Sequence, residues 1–178
     1  MSGTVLPKNR PDHRRNRQVT KVKTAMSKRQ KSITVLMADD DPDDRLLTQY
    51  AFEKSKLGND LRFVEDGEEL MDYLKRRGKY RTSLAAPRPD LILLDLNMPR
   101  MQGHEALLEI KADARLRQIP VVVLTTSRAQ EDIFRTYDLG ANSFISKPAT
   151  FDGMLAMVKS LAAYWFRVVE LLPERNAL

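Results

Sequence analysis

Apolar and polar positions change their spacing at regular intervals along this chain. From residue 33 onward, short runs rich in Val, Ile and Leu alternate with longer segments whose apolar residues recur at helical spacing. The short runs predict strands at residues 33–38, 61–64, 91–94, 121–124 and 143–145. The longer segments predict helices at about residues 43–56, 68–76, 104–112, 130–139 and 152–171.

Five strand–helix units in succession predict an α/β fold. Most of the runs are apolar at every position, which is typical of parallel strands covered by helices on both faces. We therefore expect a doubly wound, five-stranded parallel sheet. Residues 75–89 are basic, contain proline and show neither period, so we expect an elongated surface loop there. The resulting division is an arm at residues 1–32, a domain at 33–172 and a tail at 173–178.

Composition and charge narrow the class of protein. The 178 residues include no cysteine, which excludes disulfides, thiolate metal sites and cysteine nucleophiles. The net charge of +6 is uneven, because residues 1–32 hold ten Lys or Arg against one Asp while the remainder carries −3. This composition favours a solvated, disordered arm over a binding element. No apolar run is long enough to cross a membrane or to form a secretory signal, so we expect a cytoplasmic protein.

Polar side chains follow the predicted strands at the points where they end. The first strand runs into Asp39 and Asp40, the third into Asp95 and the fourth into Thr125, while the fifth leads to Lys147. Ligands of open parallel sheets bind beyond the carboxyl ends of the strands, so these side chains should meet in one crevice. Carboxylates gathered there repel one another unless a cation lies among them, and Mg²⁺ prefers oxygen ligands. With a lysine and a hydroxyl nearby, this set is suited to forming an aspartyl phosphate.

Neighbouring polar residues have simpler explanations. Asp43 and Asp44 are interpreted as first-turn acids of a helix, stabilised by its dipole, and Asp41 as a residue of the same helix start. His13 and His104 do not have a ligand spacing, so no zinc site is expected.

Four segments together resemble the receiver domain of two-component response regulators. They are VLMADDDPDD at residues 35–44, DLILLDLNMPRMQG at 90–103, PVVVLTTS at 120–127 and GANSFISKP at 140–148. Their order and spacing are similar to those of the family, and together they frame about residues 33–170. The resemblance implies a flavodoxin-like (βα)5 fold.

Position by position, the resemblance also implies a phosphorylation site with bound Mg²⁺. Asp95 resembles the family's phosphoacceptor, which is also a metal ligand. Asp40 matches the acid that binds Mg²⁺ directly, and Asp39 the acid that usually acts through water. Asn97 occupies the position whose backbone carbonyl completes the protein ligands.

Three further positions match the family's response to phosphorylation. Thr125 matches the hydroxyl that bonds a phosphoryl oxygen, and Lys147 the lysine that pairs with the phosphoryl group. Phe144 falls at the aromatic switch position, which acts together with Thr125; lacking a hydroxyl, it acts by packing alone. The bond between Lys147 and Pro148 is cis in this family, and only an X–Pro bond tolerates cis at low cost.

The resemblance implies a single-domain response regulator and not an enzyme. It would accept a phosphoryl group from a histidine kinase on Asp95, support its own phosphorylation and dephosphorylation, and signal through altered affinity for another protein. Residues 75–89, the first-turn acids and the long last helix resemble stand-alone receivers that partner bacterial phytochrome kinases. Only five residues follow Pro173, too few for an output domain.

Two other functions fit single features of the sequence. The spacing of Asp39 and Asp41 resembles that of the two acids in Mg²⁺-dependent phosphatases of the haloacid-dehalogenase type. The residues that usually follow the second acid in those enzymes are absent here. The basic arm fits a nucleic-acid-binding protein with salt-dependent affinity, but the expected disorder of the arm makes this the less favoured reading.

The last predicted helix carries two apolar lines. One consists of Met154, Val158, Leu161, Trp165, Val168 and Leu172, and the other of Met157, Tyr164 and Leu171. The final turns, from Trp165 to Leu172, are expected to project beyond the sheet. Because exposed apolar patches mark interaction surfaces, we expect a homodimer through this helix. The alternative is that both lines are core with a few exposed apolar residues.

Overall fold

The computed structural model describes residues 33–55, 59–82 and 84–171. The predictions for the basic arm, for Leu172 and for the tail lie outside these residues. Within them, strands and helices alternate as predicted.

Five parallel strands form one sheet in the order β2-β1-β3-β4-β5. They are β1 (Thr34–Ala38), β2 (Asp60–Val64), β3 (Leu91–Leu94), β4 (Val121–Thr125) and β5 (Ser143–Ser146). Every residue of β1, β3 and β4 is buried, because these central strands have helices on both faces. The edge strands β2 and β5 are more exposed. The predicted doubly wound, flavodoxin-like sheet is confirmed.

Five helices connect the strands and form a layer on each face. They are α1 (Pro42–Ser55), α2 (Gly67–Leu74), α3 (Gly103–Ala112), α4 (Gln130–Asp138) and α5 (Phe151–Arg167). Helices α2 and α3 pack on one face of the sheet, and α1 and α5 on the other. Helix α4 buries only Thr136 of its own residues. None of the helices in the described part of the chain is long and apolar enough to span a membrane.

The segment before β3 is better ordered than a plain surface loop. Helix α2 ends at Leu74, two residues earlier than predicted, and Gly78–Tyr80 forms a 3-10 turn. The Tyr80 ring packs on Tyr73 with ring centroids 5.0 Å apart, and the Tyr80 hydroxyl donates to Glu69 Oε1 at 2.9 Å. Ala86 is buried in the core between α2 and the sheet. These contacts anchor both halves of the segment to the domain.

The last helix is shorter and better covered than its pattern predicts. It ends at Arg167 because Val168 and Val169 both donate to Tyr164 O, which closes the last turn. Trp165 lies in the core with only 7% of its surface exposed, so the expectation that the chain projects beyond the sheet from this residue is wrong. Tyr164 and Val168 are the large apolar side chains that remain exposed near this end.

Candidate functional site

Two buried carboxylates lie side by side where β1 and β3 end. Ala38 pairs with Leu94 in the sheet, so the next residues, Asp39 and Asp95, leave adjacent strand ends together. Backbone hydrogen bonds continue one step beyond the strands, from Asp95 N to Ala38 O at 2.9 Å and from Asp39 N to Val64 O at 3.1 Å. Asp40 is exposed beside them. Carboxylate oxygens of Asp39, Asp40 and Asp95 lie within 4.8 Å of one another.

Lys147 brings a single positive charge to this cluster. Its Nζ lies 2.6 Å from Asp95 Oδ2, 2.7 Å from Asp39 Oδ2 and 2.7 Å from Asp44 Oδ2. The backbone N–H of Lys147 donates to Thr125 O at 2.8 Å, which ties the residue after β5 to the end of β4. Three carboxylates therefore share one buried ammonium.

The expectation of a cis peptide bond between Lys147 and Pro148 is wrong for this structure. No peptide bond among the described residues is cis, and the lysine reaches the carboxylates with its bond to Pro148 trans. The two isomers of an X–Pro bond differ by only about 0.5–1 kcal/mol, so sequence alone does not determine which is present.

Burial and charge perturb the ionisation of the site. Burial raises the pKa of Asp39 to about 6, and the nearby Asp95 charge acts in the same direction, while the Lys147 ammonium opposes both. Burial lowers the pKa of Lys147, but the carboxylates of Asp39, Asp44 and Asp95 outweigh burial and hold that pKa above its usual value. The lysine is therefore charged at neutral pH.

One oxygen of Asp39 is left without a hydrogen bond. Asp39 Oδ1 accepts from Asp41 N at 3.1 Å. The lysine donates hydrogen bonds to Asp44 and Asp95, and its contact with Asp39 Oδ2 is an ion pair without hydrogen-bond geometry. Three clustered carboxylates beside a single ammonium also fit a hard cation. The cluster of Asp39, Asp40 and Asp95 is typical of a divalent-metal site.

The remaining predicted residues lie after the end of β3, at the end of β4 and within β5. Asn97 donates its backbone N–H to Asp95 Oδ1 at 3.2 Å. Thr125 is fully buried, and its Oγ1 accepts from Ser127 N at 3.4 Å. Phe144 is half-buried in β5, beside Val123 of β4, and its backbone N–H donates to the Tyr137 hydroxyl at 3.3 Å. Phe144 therefore lies on the edge strand of the sheet.

Two residues at the site were missed by sequence reasoning. The sequence predicts only a first-turn acid at Asp44, yet this residue contacts Lys147. Arg45 donates from Nη1 to Asp39 O at 2.7 Å and so fixes the backbone of a buried acid. No local signal identifies either contact, because each depends on the packing of α1 against the strand ends. Asp41 does act at the helix start, where its Oδ1 accepts from Asp43 N at 2.8 Å.

The loop after Asp95 returns tightly on the strand that carries it. Gly103 N donates to Leu96 O at 2.9 Å, and a Cβ on Gly103 would lie 2.1 Å from Asp95 O. Arg100 has the left-handed φ of 61°, and its guanidinium pairs with buried Asp66, the N-cap of α2. These contacts hold the backbone that follows β3 against the first residues of α3 and α2.

Parallel strands in this order, with paired acids and a lysine at their ends, define a phosphoacceptor signalling domain. Residues 35–159 match the family model described as the response regulator receiver domain. The chain belongs to this family. The match, together with the use of Asp41 in the helix start, removes the basis for the phosphatase alternative.

Similar proteins include response regulators of phytochrome systems. The chain is 37% identical over 137 residues to response regulator Rcp1 of Synechocystis sp., covering 77% of this chain and 91% of Rcp1. The Mn²⁺-bound structure of Rcp1 superposes with a TM-score of 0.73 at 35% identity, covering 79% of this chain and 99% of that one. The phosphorylated cyanobacterial phytochrome response regulator RcpA gives a TM-score of 0.75 at 40% identity, covering 80% and 99%. The bacteriophytochrome response regulator RtBRR gives 0.64 at 37% identity, covering 80% and 85%.

Proposed function

We propose that Asp95 accepts a phosphoryl group from the phosphohistidine of a histidine kinase. The observation that carries the proposal is the Asp95 carboxylate at the end of β3, 2.6 Å from the Lys147 ammonium and beside a buried carboxylate. A carboxylate oxygen forms the new O–P bond as the N–P bond of phosphohistidine breaks, and the imidazole leaves with the electron pair of that bond. Lys147 offsets the charge of the incoming group, and the Thr125 hydroxyl donates to one of its oxygens.

The metal in this proposal is Mg²⁺, held by Asp39, Asp40, Asp95 and the backbone carbonyl of Asn97. The clustered oxygens of Asp39, Asp40 and Asp95 support this assignment, since the single Lys147 ammonium only partly offsets their mutual repulsion and a hard cation prefers such ligands. When bound, Mg²⁺ neutralises charge that develops on the phosphoryl oxygens. The residues themselves orient the acceptor, because Asn97 N fixes Asp95 Oδ1 while Lys147 fixes Oδ2.

The proposed output is a change in affinity for another protein. Phosphorylation adds charge at the strand ends, draws Thr125 and Lys147 toward it and lets Phe144 repack, which shifts the surface of α4, β5 and α5. Phe134 and Tyr137 support this surface, because the two residues are 69% and 50% exposed on a helix that buries little. The partner kinase is proposed to be a bacterial phytochrome, on the similarity to Rcp1, RcpA and RtBRR. The exchange is proposed to take place in the cytoplasm.

The domain division and the dimer belong to the same proposal. We keep a domain at residues 33–172 between a basic arm and a short tail, with the arm not required for phosphotransfer.

A homodimer through α5 would use exposed Tyr164 and Val168, while buried Trp165 contributes to the core. Light scattering at micromolar concentration should give a dimer that Val168→Asp shifts toward monomer. Lys159→Asp is the control that should not shift it, since Lys159 is exposed and helical spacing places it on the side of α5 away from Tyr164 and Val168.

Mass spectrometry after incubation with Mg²⁺ and acetyl phosphate tests the central proposal. We expect one acid-stable, base-labile phosphoryl group on the wild type and none on Asp95→Asn. Asp90→Asn is the matched control, since Asp90 flanks the opposite end of β3 and accepts from Thr34 N at 2.9 Å. Undiminished phosphorylation of Asp95→Asn would refute the assignment, and loss in both variants would show that the strand itself had been damaged.

A further inference from the structure

Asp44 lies in the first turn of α1 and reaches the lysine that also bonds Asp95. Its Oδ2 accepts a hydrogen bond from Lys147 Nζ at 2.7 Å, across 103 residues of sequence. Lys147 bonds Asp95 slightly more closely, at 2.6 Å. We infer that Asp44 is a positioning residue that holds the Lys147 ammonium over the phosphoacceptor. The inference rests on the proposed roles of Asp95 and Lys147.

The lysine needs such a support because its own chain does not fix its head group. An ammonium has three donors on a flexible stem of four carbons, so its direction is set by its acceptors. Lys147 follows β5 in a loop, whereas Asp44 belongs to a helix whose first turn is capped by Asp41. Asp44 therefore supplies an acceptor on a helix for a lysine that itself lies in a loop.

The positions of the two acceptors give them different roles during phosphorylation. Asp95 Oδ2 is the acceptor that the lysine exchanges for a phosphoryl oxygen. Asp44 is not modified, and its side chain is 28% exposed at the outer edge of the site, so its bond to Lys147 need not break. One fixed bond then keeps the ammonium directed at the same place in both states, which lowers the ordering cost of pairing with the phosphoryl group.

Asp43 makes it possible to distinguish a positioning role of Asp44 from a general effect of the α1 dipole. Asp43 and Asp44 both lie in the first turn of α1, where any carboxylate is stabilised by the dipole. The described contacts of Asp43 involve its backbone N–H and Asp41, while those of Asp44 include the lysine. A general effect of negative charge at this helix end would appear equally in both residues.

The test compares Asp44→Ala, Asp44→Asn and Asp43→Ala in the full chain. The first readout is the NMR signal of the Lys147 ammonium in metal-free protein, which is protected from exchange when its donors are held. The second is the rate of phosphorylation by acetyl phosphate with Mg²⁺. For Asp44→Ala we expect loss of the signal and a rate roughly tenfold lower, as for one charge-assisted hydrogen bond. Asp44→Asn keeps an acceptor oxygen and should restore the signal and most of the rate, and Asp43→Ala should match the wild type.

Three results would overturn the inference. They are an unchanged signal and rate in Asp44→Ala, equal losses in Asp43→Ala and Asp44→Ala, and no rescue by Asp44→Asn. Thermal unfolding of each variant establishes that it is folded. Failure of the proposed function has a different signature, since it leaves Asp95→Asn phosphorylated while the ammonium signal still depends on Asp44.

Discussion

Replacing Gly103 by alanine tests how closely the strand that leads to Asp95 is joined to α3. A Cβ on Gly103 would lie 2.1 Å from Asp95 O, 2.7 Å from Leu96 Cα and 2.9 Å from the Asp95 carbonyl carbon. All three atoms belong to the backbone, so no side chain can rotate away. The helix start or the strand end would have to move by about 1 Å to restore ordinary contact distances.

Two effects of this substitution oppose each other. Gly→Ala inside a helix gains roughly 0.5–1 kcal/mol of stability, and less at the first helical residue. Overpacking against well-packed neighbours costs about 1–3 kcal/mol and occasionally more. Because the overlap is with backbone on both sides, we place the cost at the upper end and expect a net loss of about 2–3 kcal/mol. For a domain of this size that corresponds to a Tm lower by roughly 6–10 °C.

Urea denaturation and acetyl phosphate labelling, measured on the same samples, provide the assay. Gly78→Ala is the control, since a Cβ there has nothing within 4 Å and its cost comes only from the φ of 54°. That backbone cost is about 1–2 kcal/mol, and it should leave the labelling rate unchanged. Gly103→Ala should lower both stability and rate, because the atoms it displaces carry the Asp95 side chain. A Gly103→Ala protein as stable as the wild type would refute the close approach, and a destabilised protein with a normal labelling rate would refute the coupling to Asp95.

Four further outcomes follow from the described contacts and the sequence. Burial raises the pKa of Asp39 from 3.8 to about 6, so the folded metal-free protein binds this proton more tightly than the unfolded chain does. Its stability should therefore fall by roughly 1–2 kcal/mol between about pH 5 and pH 8, measured by urea unfolding in a chelator, and Asp39→Asn should remove that fall. Tyr80→Phe loses the hydrogen bond to Glu69 but keeps the ring contact, and should cost about 1 kcal/mol in denaturant unfolding. Trp165→Ala opens the core and should cost about 3–5 kcal/mol by the same measurement. Deletion of residues 1–25 should leave Tm and phosphorylation of the domain unchanged.

The strand pattern could be predicted from the sequence because the central strands lie under helices on both faces. Residues 91–94 were predicted as a strand and form β3 with the same bounds, since Leu and Ile at every position satisfy burial on either side. The acids of the site were predictable for a related reason, because they directly follow such runs. Asp39 and Asp95 lie where adjacent strand ends place them.

Contacts between distant segments could not be predicted in this way. The bond from Lys147 to Asp44 depends on how α1 packs beside the loop after β5, which no local pattern encodes. The burial of Trp165 depends on the surface that the sheet and α1 present to α5. Tyr80 anchors its segment through Glu69, a partner eleven residues earlier that carries no motif. In each case the physical cause is tertiary packing and not periodicity.

The hydrogen bonds of Lys147 join residues that are far apart in the sequence. They span 52 residues to Asp95 and 103 residues to Asp44. A nascent or truncated chain that ends before β5 carries the acidic strand ends without their counter-charge, and loop-closure entropy opposes long-range contacts until the intervening elements are in place. On the proposed role of Lys147, we therefore expect competence to accept a phosphoryl group only once the last strand has joined the sheet, so that incomplete or partly folded chains should not signal.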